Sequence, residues 1–109
     1  MEDKTVSERI DDIYFINRWG EGYFSTGDEG HLYVRPDRSL SGSTIDIKKV
    51  IDEIKERGVQ LPCVVRFPEI LRSQVIHLNE TFKTVIEEAD YKGRFMGVFP
   101  VKVNQMREV

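Results

Sequence analysis

Apolar positions in this chain are short and broken by turn residues up to about residue 46, and long and regular beyond it. Ile47, Val50, Ile51 and Ile54 recur at i, i+3, i+4 and i+7, which predicts an amphipathic helix with one apolar face. Either Ser43 or Asp46 can cap its N-terminus, and Gly58 suits the position just past its end. Leu61 to Phe67 (LPCVVRF) is almost continuously apolar, the mark of a strand covered on both faces. Pro68 fits the first position of a second helix, in which Leu71, Val75, Leu78, Phe82 and Val85/Ile86 keep helical spacing until Tyr91-Lys92-Gly93. Phe95 to Val103 (FMGVFPVKV) is a further run of strand composition.

Strand, long helix, strand implies parallel pairing and a right-handed βαβ unit. The predicted fold class is therefore α/β, with the second half opening a parallel sheet or barrel. Such a unit is unfinished after one crossover, because two parallel strands and one helix leave sheet edges open. In the first half, Tyr23-Phe24-Ser25 and His31-Leu32-Tyr33-Val34 flank Thr26-Gly27-Asp28-Glu29-Gly30. Gly27 and Gly30 can supply positive φ, so these residues predict a β-hairpin. Pro36-Asp37 and Ser39-Leu40-Ser41-Gly42-Ser43 mark a loop, and Val6–Ile16 carries a weaker helical signal ended by Trp19-Gly20.

Composition narrows the classes. The 109 residues, 39% hydrophobic and 32% charged, belong to a globular chain of one domain's size. A net charge of −3 and a pI near 5.4 argue against a general nucleic-acid binder. The charge is uneven: residues 1–54 hold 7 basic and 12 acidic side chains, residues 55–109 hold 9 and 7. No apolar stretch is long enough for a transmembrane helix, and the polar, acidic N-terminus lacks the apolar region of a secretory signal. The single Cys63 excludes an intrachain disulfide and fits a reducing cytoplasm, the expected location.

One residue does not fit its surroundings. In Val98-Phe99-Pro100-Val101-Lys102-Val103-Asn104, a strand geometry turns Phe99, Val101 and Val103 one way and Val98, Pro100 and Lys102 the other. Lys102 either snorkels to solvent near a strand end or is a desolvated lysine whose depressed pKa makes its amine a nucleophile. Such an amine forms a Schiff base with a carbonyl, the aldehyde of pyridoxal phosphate included. The remaining candidates read more simply. His31 and His77 lack metal-ligand spacing; His77 falls on the polar flank of the long helix. Cys63 reads as a small buried hydrophobe, Arg66 as a paired core arginine, and Trp19 as an anchor that holds a loop to the core. Asp11-Asp12 and Glu87-Glu88 read as solvated faces, and Gly27, Gly30 and Gly93 as turns, since no phosphate-cradle motif is present.

The stretch Gly97-Val98-Phe99-Pro100-Val101-Lys102-Val103-Asn104-Gln105-Met106-Arg107-Glu108-Val109 closely resembles the cofactor-lysine segment of biosynthetic arginine decarboxylases, fold-type-III pyridoxal enzymes. Arg18-Trp19-Gly20-Glu21-Gly22-Tyr23-Phe24 and Gly58-Val59-Gln60-Leu61-Pro62-Cys63-Val64-Val65-Arg66-Phe67-Pro68-Glu69-Ile70-Leu71 resemble the same family, and all three occur in its order. Departures at Val64, Val101 and Met106 are mild. The resemblance implies decarboxylation of L-arginine to agmatine in polyamine (spermidine) biosynthesis, with pyridoxal phosphate and magnesium as cofactors. It implies a (β/α)8 barrel joined to a β-rich domain, acting as a homo-oligomer.

Lys102 would then be both the catalytic and the cofactor-binding residue, holding the cofactor aldehyde as a Schiff base; no metal ligand is assigned. Residues 1–45, with the hairpin, would belong to the β-rich domain. Residues 46–109 would lead through helix, strand, helix and strand into the barrel, cut after the first cofactor-bearing strand. A barrel of this kind needs about 250 residues. The chain is thus expected to be an N-terminal portion, inactive alone, with no nucleic-acid or membrane partner. The alternative is a non-catalytic interaction or oligomerisation module derived from the family. A sibling decarboxylase for another basic amino acid fits less well with the Trp-Gly-Glu-Gly-Tyr-Phe and Arg-Phe-Pro segments.

Overall fold

The computed structural model describes residues 3–39 and 42–107; Leu40 and Ser41 of the expected loop, and Glu108 and Val109 of the lysine segment, lie outside the described residues. The chain forms two compact units, Met1–Ser73 and Gln74–Val109.

The first unit begins with α1 (Val6–Tyr14), whose entry is fixed by a capping box. Thr5 Oγ1 accepts from Glu8 N at 3.2 Å, while Thr5 N donates to Glu8 Oε2 at 2.8 Å. Two orphan amide donors are thereby satisfied reciprocally. Phe15, in the left-handed region at φ 54°, ends α1 and starts the short α2 (Ile16–Trp19). The weak signal over Val6–Ile16 is thus two helices with a break at Phe15.

The hairpin is present as β1 (Phe24–Thr26) and β2 (Leu32–Val34), antiparallel with Phe24 opposite Val34 and Thr26 opposite Leu32. Of its two glycines only Gly30 takes positive φ, at 84°. A third strand that the sequence pattern does not signal, β3 (Ile45–Asp46), extends the sheet in the order β1-β2-β3. Ser7 ties α1 to the hairpin, its Oγ lying 2.8 Å from Thr26 Oγ1 and 3.0 Å from Thr26 O. Ile16, Tyr23 and Val34 form the buried core, Val34 completely.

Helix α3 (Ile47–Glu56) carries the expected apolar face, and of its two candidate caps Asp46 is the one used, accepting from Lys48 N and Lys49 N. It ends as Gly58 predicts. Gly58 sits at φ 79°, its N–H reaches Lys55 O at 2.9 Å, and Val59 N reaches Ile54 O at 3.2 Å. Those two bonds satisfy carbonyls that the helix leaves open, and the left-handed residue between them favours glycine.

Helix α4 (Pro68–Glu88) starts at the expected proline. It stops before Tyr91, because Asp90 takes the left-handed position at φ 49° and Tyr91 N bonds Ile86 O at 3.0 Å. In the second unit the chain then turns back. Phe95 stacks on Phe82 with ring centroids 4.1 Å apart, and Gly97 lies beside Asn79.

Neither apolar run is a strand here, which corrects the expected βαβ unit. Residues 61–67 join no strand ladder among the described residues, and Leu61, Val64 and Val65 are exposed. Residues 95–100 are likewise unpaired, and Val101–Val103 winds into one 3-10 turn closed by Val103 N on Pro100 O at 3.2 Å. The physical reason is the backbone: a strand exists only when a neighbour accepts and donates along it. A run of apolar side chains states a need for cover without supplying the neighbour. The start of a barrel is therefore absent from the described residues.

Candidate functional site

Lys102 occupies the middle of the 3-10 turn and is exposed. Among the described residues no hydrogen bond or ion pair holds its Nζ. Pro100 sets the start of the turn, and beyond it Asn104 Oδ1 accepts Met106 N at 3.1 Å. This Asx turn fixes the direction in which the chain leaves the lysine. Of the two readings of Lys102, this structure carries the solvent-facing one; the desolvating strand that the sharper reading needs is not formed. What this turn does meet is access: the Lys102 side chain can be reached by a carbonyl group.

The other singled-out positions fall elsewhere. Trp19, half-exposed, anchors its loop: Nε1 donates to Tyr14 O at 2.9 Å and the ring leans on Phe24 at 5.2 Å. Gly20 beside it is required by close approach, since a Cβ there would stand 2.5 Å from Ile16 O. Cys63 and Arg66 are both exposed, not buried as expected, because the run that holds them is uncovered. Asp12 pairs with Lys4 at 2.5 Å at the surface, while Asp11 Oδ1 accepts Asn17 N at 2.6 Å and so supports the start of α2. His77, Glu87 and Glu88 are exposed on α4. No group of three or more His, Cys, Asp or Glu side chains among the described residues could hold a metal ion.

Two arrangements have no counterpart in the sequence pattern. Tyr23, buried, donates its phenol to Ser73 Oγ at 2.7 Å and carries the Arg38 guanidinium over its ring at 4.3 Å. No sequence spacing signals that trio, since 15 and 50 residues separate its members from Tyr23. The second is His31 with Asp46, Nδ1 to Oδ2 at 2.9 Å. Tyr33 faces Asp46 across β2 and β3, so His31, two residues before Tyr33, is the diagonal neighbour on the same face. Knowledge of β3 alone would have been enough to place this pair.

The His31 hydrogen bond holds the Asp46 carboxyl below its ordinary 3.8; burial, the next largest influence, pushes it up, while the Lys49 amide, the His31 charge and the Lys48 amide lower it further. A carboxylate with a depressed folded pKa stabilises above its unfolded value and loses that contribution as pH falls through the folded one. The wild-type melting temperature should therefore exceed that of Asp46→Asn at neutral pH. The gap should narrow as acidification passes below 3.8. Thermal melts of both proteins across that range check it, and a gap that widens in acid overturns the assignment.

No protein-family model matches the chain, and no solved structure matches it. Curated sequences do. Over all 109 residues the chain is 42% identical to the biosynthetic arginine decarboxylase of Rhodopirellula baltica, of which it covers 16%. It is 40% identical over its full length to that of Gloeobacter violaceus, covering 17%. Over 105 residues it is 43% identical to that of Prochlorococcus marinus subsp. pastoris, covering 16%. The sequence is thus related to amino-acid decarboxylases. More narrowly, it corresponds to an N-terminal portion of the biosynthetic arginine decarboxylases. The chain spans about one sixth of the length of the curated relatives it matches. Among the described residues no helix is long and apolar enough to cross a membrane.

Proposed function

We propose that this chain is the N-terminal portion of an enzyme that converts L-arginine to agmatine and carbon dioxide in polyamine biosynthesis. In that reading Lys102 is the residue that holds pyridoxal phosphate. The observation that carries it is identity of 40–43% along essentially the whole chain to proteins named biosynthetic arginine decarboxylase. The reachable Lys102 amine agrees with it. Bound pyridoxal phosphate would supply an electron sink for the pair left when carbon dioxide departs. What this chain contributes is narrower. Lys102 offers a nucleophilic amine to the cofactor aldehyde and, once displaced by the substrate amine, a proton carrier at its Nζ.

Residues 61–67 and 95–103 become strands in this reading once the rest of a (β/α)8 barrel pairs with them, and the β1-β2-β3 unit belongs to the accompanying β-rich domain. The complete enzyme is a cytoplasmic homo-oligomer. The remaining cofactor and guanidinium contacts would come from residues outside this chain, so the chain alone is inactive. Magnesium, also implied by the family, finds no donor grouping among the described residues.

Borohydride reduction of the complete enzyme in the presence of pyridoxal phosphate tests the assignment. The reduced pyridoxyl group should map to the peptide containing Lys102. Label on another lysine, with Lys102 unmodified, would sink it.

A further inference from the structure

We draw no further inference here: the strongest candidate, the open apolar groove of about 400 Å³ at the C-terminal end of α4, lined by Val85, Ile86 and Ala89 beside the Phe82–Phe95 stack, is an unpartnered face and nothing in the structure shows what covers it.

Discussion

In the complete enzyme, Lys102→Ala should lower agmatine formation by at least ~10³-fold, the scale of removing a positioned proton carrier together with a covalent contact. In the 109-residue chain alone, where Lys102 is exposed and holds no partner among the described residues, the same substitution should leave stability within about 0.5 kcal/mol of wild type. Activity and stability should thus separate, which a structural lysine would not allow. Lys102→Arg sharpens the point: the guanidinium keeps the positive charge but stays protonated and cannot serve as a nucleophile. It should be as inactive as the alanine variant, and small primary amines added to the alanine variant should restore part of the rate. Agmatine release measured for the three proteins decides the matter. Substantial activity in the arginine variant would reduce the role of Lys102 to its charge and overturn the assignment.

Legibility in the sequence tracks the range of the interactions involved. Helices α3 and α4 are legible because the 3.6-residue period, the Asp46 cap, Pro68 and Gly58 act within a few residues of where they are written. The capping box at Thr5 and Glu8 is equally local, and its Thr-x-x-Glu spacing is a signal that could have fixed the start of α1. The hairpin is visible from its turn residues, but β3 is not, since two residues carry no period and exist as a strand only through pairing with Tyr33 and Val34. The His31–Asp46 contact is lost with it. The runs at 61–67 and 95–103 mark the other limit. Their composition says that something must cover them, and nothing among residues 3–107 does so. The expected burial of Cys63 and Arg66 fails for that reason alone. The chemistry proposed for Lys102 rests on the resemblance of its segment, because spacing by itself leaves a surface lysine and a cofactor lysine indistinguishable.

Tyr23→Ala should unfold the first unit, since so little else holds its centre. Only Ile16, Tyr23 and Val34 are buried there among the described apolar residues, and Tyr23 is 3% exposed. Truncating a buried aromatic costs about 3–5 kcal/mol, against a total stability of about 5–15 kcal/mol for an ordinary domain. Three contributions go at once: the ring's packing, the phenol donated to Ser73 Oγ at 2.7 Å, and the face on which the Arg38 guanidinium rests at 4.3 Å. Two milder variants divide them. Tyr23→Phe removes only the hydroxyl and should cost about 1 kcal/mol, because half-buried Ser73 can turn towards water. Arg38→Ala removes the cation and should cost about as much as a partly exposed cation–π contact, ~0.5–1 kcal/mol, or less. The lower end is favoured because Arg38 Nε is buried with no hydrogen-bond partner among the described residues, a penalty that leaves with the side chain. Trp19, packed on Phe24 next to Tyr23, is the chain's single tryptophan and reports the transition by fluorescence. The expected order of melting temperatures is wild type, then Arg38→Ala and Tyr23→Phe close together, then Tyr23→Ala with no cooperative transition. A cooperative Tyr23→Ala melt near the wild-type temperature would mean that the sheet and α3 hold the unit without this residue.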